Sequence, residues 1–356
     1  MAGEAALISG VTGVVGYRIA AHLSSLGGWR VIGISRGIPV ESRRVAGVDY
    51  VPLDLNDRAA CAKTIAGLNG VTHFFNAARF EHSTTQPEPI DINTQMFVNV
   101  LDALEETRHP LRHVHLVQGT KYYGSTIGRF PTPARESDPR SLHGTFYFAQ
   151  EDIAIERARK RAWTWSASRP HGICDPSPDI VRSMARLIGV YAVICKELGL
   201  PLSFPGTAEN YRAIYQCTDA NLLAKTIVWM ATDPKCGNQG FNVTNGEYFR
   251  WENLWPRIAD YFGMRCGPVV TLKLANTMAD KAEIWDRIVA RHNLRQIPYA
   301  QAAIWSYGDF LFTPSWDMMS STTKLRQFGF PDVIDTEAMF YGLFDALRKE
   351  RIIPAA

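Results

Sequence analysis

A phenol and an ammonium set side by side can manage the charge that builds on a carbonyl oxygen. The chain offers Tyr147 in "TFYFAQED" (Thr145 to Asp152) and Lys121 in "VQGTKYYG". A fixed positive charge favours the ionised form of a phenol, so such a pair can stabilise or protonate an oxyanion. One helical turn after Tyr147 stands Glu151, an anion that cannot play the cation's part. Either this chemistry is lost, or the cation comes from another element, where Lys121 is the residue on offer.

The elements around the pair alternate. "AALIS" (Ala5 to Ser9), "WRVIGIS", "VDYVPLDL", "VTHFFNAA", "RHVHLVQ" and "WTWSASRP" read as six strands. Between them, Tyr17 to Leu26, "TQMFVNVLDALEET" and a segment from about Phe146 to Arg161 carry helical periodicity. Strand–helix alternation predicts a parallel sheet covered on both faces, a Rossmann-type doubly wound α/β fold. Lys121 then follows the fifth strand, on the carboxyl edge where ligands bind in such sheets, and Tyr147 opens the next helix. After Pro176 the order changes. "IVRSMARLIGVYAVICKELGL" and Trp251 to Phe262 read as helices, and aromatics and prolines crowd the remainder. The spacing predicts a nucleotide-binding domain over 1–175, to which later segments return, and a smaller substrate-binding lobe over 176–356.

"ISGVTGVVG" joins the first strand to the first helix and places glycines at 10, 13 and 16. Gly10 allows the tight turn, Gly13 a close approach of backbone to a pyrophosphate, and Gly16 close packing of helix on strand. Thr12, Val14 and Val15 complete the turn, with the phosphate charge over the helix's N-terminal amides. At the end of the second strand stand Ser35 and Arg36 instead of an acid. A guanidinium can hold a ribose 2′-phosphate bidentately, which favours NADPH/NADP+ over NAD. Asp54 and Leu55, ending the third strand, resemble the pair that contacts the adenine ring in the short-chain dehydrogenase/reductase superfamily, and "NAAR" (Asn76, Ala77, Ala78 and Arg79) ends the fourth strand, where it should run beside the ribose and phosphates. Gln118, Tyr147, Pro170 and Ile173 complete the expected cofactor contacts.

The G-x-x-G-x-x-G spacing is the short-chain dehydrogenase/reductase form. In that superfamily a lysine usually stands four residues after the tyrosine, the place of Glu151 here. "QGTKYYG" and "TFYFAQED" resemble, at Lys121, Tyr123, Phe146, Tyr147, Glu151 and Asp152, two motifs of the progesterone 5β-reductase/iridoid synthase-like enone reductases. The resemblance runs on through "WSASRPHGI", "GVYAVICKELG", "FNVTNGEYFRWENLW" and the ending "FGF…RKERIIP". It implies NADPH-dependent 1,4-reduction of the C=C of an enone or enal (steroid, terpenoid or small). Hydride goes to the β-carbon, and Tyr147, assisted by Lys121, holds the enolate oxygen. It also places Trp305 and Tyr307 among the pocket aromatics.

The sequence departs from the family's pattern. Phe148 and Thr145 replace a tyrosine and an asparagine, and "GSTIGRF" stands where a G-P-F is usual, so one pocket wall is rebuilt. Tyr123 is read equally as pocket lining or as packing. Two other functions compete. A carbonyl reductase or sugar-nucleotide epimerase of the extended type would need the +4 lysine, and an NADP-sensing protein that catalyses nothing would need no tyrosine–lysine pair.

The bulk numbers exclude other classes. A formal charge of +3 is too small to argue for nucleic acid or an anionic membrane surface. The apolar run "VYAVIC" falls far short of a bilayer span of ~20 residues. Six cysteines without C-x-x-C spacing fit reduced thiols in a cytoplasmic protein. His109, His113 and His115 have no carboxylate at ligand spacing, so no metal is expected. A homodimer is the expected assembly on base rates alone.

Overall fold

The structure is a computed structural model that describes residues 3–80, 87–177 and 179–355. β1 (Glu4–Ser9), α1 (Val14–Leu26), β2 (Trp29–Ser35), β3 (Val48–Pro52), α2 (Arg58–Ala66) and β4 (His73–Asn76) follow one another. α3 (Ile90–Glu106), β5 (His113–Val117), α4 (Phe146–Ala158) and β6 (Thr164–Pro170) continue the alternation. A seventh strand, Gln239–Val243, adds in parallel beside β6. The sheet order is Gln239–Val243, β6, β5, β4, β1, β2, β3, with every pairing parallel. This is a Rossmann fold. Its strand order reverses between β1 and β4, and the crevice outside their carboxyl ends is where such sheets bind ligands.

Each face of the sheet is sealed by an apolar stripe of helix. α1 buries Gly16, Ile19, Ala20 and Leu23, one side of a 3.6-residue period, and shares its core with Leu223 and Ile227. Those two belong to the helix Ala220–Thr232, so the chain returns to this domain well after residue 175. The opposite face packs Cys61 and Ile65 of α2, Phe97 and Leu101 of α3, and Ala154 of α4.

β5 and β6 are further joined by a polar ladder. The His113 ring meets the Thr164 and Ser166 hydroxyls at 2.9 and 2.7 Å, and the His115 ring meets Ser166 and Ser168 at 2.8 and 3.0 Å. Hydroxyls occupy the imidazoles. Among the described residues no group of three or more His, Cys, Asp or Glu side chains is placed to hold a metal ion.

The second lobe is built on α5 (Met184–Glu197), buried along all but its last two residues. A helix apolar on every side belongs in a core. It begins four residues later than the apolar pattern, because the Ser183 side chain caps it by accepting from the Arg186 amide. Around α5 pack Phe204, Trp251, Trp255, Phe312 and Phe340. Trp251 and Trp255 are almost wholly buried, and truncating either to alanine would cost on the order of 3–5 kcal/mol. Among the described residues no helix is long and apolar enough to cross a membrane.

Candidate active site

A cavity of about 1060 Å³ runs along the carboxyl edge of the sheet, from the β1 and β2 ends to the second lobe. Its first end is the glycine turn. Gly10 has φ +70°, and a Cβ there would lie 2.7 Å from the Ala77 carbonyl oxygen, so no other residue fits. A Cβ at Gly16 would fall 2.3 Å from the Gly10 oxygen, which explains how closely α1 approaches the turn. Gly10, Thr12, Gly13, Val14 and Val15 line the cavity, whereas Gly16 packs behind it. No side chain caps the first turn of α1, which leaves its amide end open toward an anion.

The strand ends supply the rest. Ser35 and Arg36 line the cavity, Ser35 Oγ donating to the Gly37 carbonyl at 2.7 Å. Arg36 is exposed and has no carboxylate partner among the described residues. Asp54 and Leu55 line it too, and Asp54 accepts from the Asn56 amide at 3.0 Å. Ala77, Ala78, Gln118, Pro170 and Ile173 also face it. Asn76 does not. It is buried, accepts from Ser9 Oγ at 2.8 Å and donates to Gln150 Oε1 at 3.3 Å, so it ties the β1 and β4 ends together. The glycine turn, the uncapped helix and an unpaired arginine at the β2 end are a donor set that fits a dinucleotide phosphate chain.

At the other end stand Tyr147, in the first turn of α4, and Lys121, in the short turn Thr120–Tyr123 after β5. Lys121 Nζ lies 4.9 Å from the centre of the Tyr147 ring and 5.4 Å from that of Phe146. The ammonium therefore meets the face of the phenol ring and donates to the carboxylate of Glu88. Burial lowers the Lys121 pKa; Glu88 raises it back, and Arg79 and Arg182 press it down. Burial pushes the Tyr147 phenol up to about 12, with Arg79 pulling it back and Glu88 opposing. Gly119 keeps room for the hydroxyl, since a Cβ there would stand 3.4 Å from Tyr147 Oη. Thr120 Oγ1 meets His171 Nδ1 at 2.9 Å, and burial lowers the His171 pKa to about 4.

Glu151 is buried, not on the surface. Arg169 Nη2 donates to its Oε1 at 3.1 Å and Arg140 Nη2 to its Oε2 at 3.0 Å. Arg169 also donates to Gln118 Oε1 and to the Tyr123 hydroxyl, each at 3.0 Å. The position one turn after Tyr147 thus belongs to an ion-pair network behind the cavity wall. Asp152 stays on the surface and takes Arg140 at 2.9 Å.

Two expected pocket aromatics lie elsewhere. The Tyr123 hydroxyl donates to Asn242 Oδ1 at 2.8 Å and lies in the Arg169 network, so Tyr123 packs and does not line the cavity. Trp305 faces away toward Tyr299, ring centres 6.2 Å apart. Tyr307 does line it, with the Arg182 guanidinium 5.1 Å from its ring centre. Phe148 turns to Tyr122, edge to face at 5.2 Å, and does not line the cavity. Sequence reasoning did not single out Glu88, His171, Arg182, Tyr215 or Trp316. Only His171, directly after Arg169–Pro170 at the sixth strand's end, had a positional signal.

The PRISE-like Rossmann-fold domain family matches residues 42–354. An (S)-8-oxocitronellyl enol synthase of Nepeta racemosa is 32% identical, over 98% of this chain and 91% of its own length. A 3-oxo-Delta(4,5)-steroid 5-beta-reductase of Arabidopsis thaliana is 31% identical, over 98% and 93%. Among solved structures, a UDP-glucose 4-epimerase of Thermotoga maritima with UDP-glucose superposes with a TM-score of 0.69 at 12% identity, over 97% of this chain and 99% of that one. A short-chain dehydrogenase/reductase superfamily protein of Agrobacterium tumefaciens with bound NAD gives 0.68 at 18%, over 97% and 98%. At those identities the structures share the fold alone.

Proposed function

The chain belongs to the PRISE-like family of Rossmann-fold proteins and is an oxidoreductase, and on that premise we propose that it reduces the C=C of an enone or enal by 1,4-addition with NADPH. One observation carries the reading: Tyr147 and Lys121 line the same end of a cavity whose other end is the glycine turn and Arg36. The two relatives, an enol synthase and a steroid 5-beta-reductase by name, support the enone class.

The amides of α1 and the guanidinium of Arg36 would hold the cofactor's phosphates, and bound NADPH supplies the hydride that goes to the β-carbon. The protein's own part is at the oxygen. The enolate left by hydride addition takes its α-proton from water; until then Tyr147 Oη donates to the substrate carbonyl oxygen and keeps that hydrogen bond as charge moves onto it. Its high pKa suits a donor that stays protonated at neutral pH. Lys121 adds positive charge beside the ring, strongest where burial excludes water. Glu151, fixed by Arg169, offers no proton relay of the kind a +4 lysine gives a carbonyl reductase or epimerase.

The test is NADPH consumption with 2-cyclohexen-1-one, the product identified by gas chromatography, for wild type, Tyr147→Phe and Lys121→Met. A saturated ketone, diminished in both variants, supports conjugate reduction through this pair. An allylic alcohol refutes it in favour of carbonyl reduction. NADPH binding with no turnover across a panel of enones favours a sensor.

A further inference from the structure

Resting on the enone-reductase reading, we propose that the substrate is an anion: an enone or enal that carries a carboxylate away from its C=C. The charges that line the cavity are lopsided. Arg36, Arg79, Lys121, Arg182 and Lys273 contribute cations, while Asp54 and Asp309 are the acidic lining residues. Asp54 belongs to the adenine end beside Asn56. Asp309 is committed to backbone, accepting from the Leu274 and Ala275 amides at 2.6 and 3.2 Å. Lys121 is paired with Glu88.

Arg79, Arg182 and Lys273 are left over: none has a carboxylate partner among the described residues, and all three are exposed. Arg79 and Arg182 line the same cavity as Tyr147 and Lys121, and the charges of both act on Lys121. Arg79 ends the β4 segment and Arg182 precedes α5, so they approach from the sheet and from the second lobe respectively. Arg182 belongs to the second lobe and not to the helix turn and strand ends that would hold the phosphates, whereas Arg79 closes the stretch Asn76 to Arg79 expected beside the ribose and phosphates and assists from there. Arg182 is also oriented, its guanidinium held over the Tyr307 ring. A planar fork fixed on an aromatic face is suited to bidentate recognition of a carboxylate. Tyr215, Phe310, Leu311, Trp316 and Met318 add apolar surface to the lining, which suits the carbon skeleton.

The experiment uses a matched pair, (E)-6-oxohept-4-enoate and its methyl ester, which differ in charge but share one enone. For wild type the ratio of kcat/KM, acid over ester, should exceed about tenfold, the scale of one charge-assisted hydrogen-bonded contact. In Arg182→Met that ratio should collapse toward one, and in Arg79→Met it should fall. Both arginines are on the surface, so these replacements leave the core intact. A wild-type ratio near one, or a high ratio that Arg182→Met leaves unchanged, overturns the proposal. Calorimetric binding of the saturated 6-oxoheptanoate and its ester, to the protein with and without NADP+, separates this inference from the reaction. A preference for the acid that Arg182→Met removes supports the anion site even if neither enone is reduced, and then only the reductase reading falls. Equal binding of acid and ester overturns the anion site even if both enones are reduced.

Discussion

Arg169 and Glu151 bind each other at 3.1 Å with side chains only 3% and 4% exposed. This pair occupies the turn of α4 on which a lysine would otherwise serve Tyr147. Restoring that lysine should therefore damage the protein. Glu151→Lys sets a cation against Arg169 and Arg140, and loss of one partner from a buried pair costs about 3–5 kcal/mol. Urea denaturation should show a lower midpoint, and the Glu151→Lys, Lys121→Met double variant should not recover turnover. Equal stability of Glu151→Lys and wild type would mean the network carries no load.

Tyr147→Phe removes the donor to the developing oxyanion and keeps the ring that Lys121 contacts. The expected loss in kcat/KM is about 10²–10³-fold, the usual effect of deleting one such donor. NADPH fluorescence should still report binding, weakened only by the one cofactor contact that the hydroxyl makes. A loss under threefold would leave the phenol as packing.

Glu88 sets the pH dependence of Lys121. The lysine acts as an ammonium, its pKa already below the ordinary value through burial, and Glu88 is the group that raises it. Activity is present below that pKa and fades as pH rises through it. Glu88→Gln should move the alkaline limb of the kcat profile to lower pH, while Glu88→Asp should hold it near wild type. A profile insensitive to Glu88→Gln would separate the carboxylate from the function of the lysine.

Acid should unfold the protein through its buried imidazoles. Burial lowers the His73 pKa to about 4 and the His115 pKa to about 3, and holds His113 well below its ordinary value. These folded-state values lie below the unfolded value, so the unfolded chain binds more protons as pH falls below about 6.5. Stability is full above that pH and drops on the way to about 4, by up to ~1.4 kcal/mol per pH unit for each histidine. Urea melts at pH 7.5, 6 and 5 measure the slope. His115→Gln should flatten it, and an unchanged slope would place the acid sensitivity elsewhere.

Arg36 is expected to choose the cofactor. Arg36→Asp should raise the KM for NADPH about tenfold or more and lower the KM for NADH, as a carboxylate repels the 2′-phosphate and accepts from the free hydroxyl. Steady-state kinetics with both cofactors decide, and an unaltered preference would remove Arg36 from the phosphate site.

The sheet was legible from β1 to β6 because each strand is a β-rich run bounded by a helical or turn-forming segment. The seventh strand, Gln239–Val243, was not read, because it is short, contains Gly240 and lies in a stretch whose aromatics dominate the pattern. The site was legible at the backbone turn and the strand ends, where position alone fixes direction. Side-chain facing was harder, although simple geometry separates the pocket residues. Trp305 and Tyr307 sit two apart on one helix, roughly 200° around it, so only one of them faces the cavity. Lys121 and Tyr123 sit two apart on a 3₁₀ turn, roughly 240° around, so the lysine's facing inward sends the tyrosine into the Arg169 network. Glu88 was out of reach, since nothing local links it to a lysine on another strand's end.

The late return of the chain to the sheet has a consequence for synthesis. As the chain leaves the ribosome, β6 is an edge strand with its outer amides and carbonyls unpaired, and it stays so until Gln239–Val243 emerges. By then the whole of α5 and the helix Ala220–Thr232 are already outside. An unpaired edge of this kind templates pairing with other chains. Nascent molecules are therefore most prone to stick to one another in that interval, and truncation before Gln239 would leave the edge permanently open.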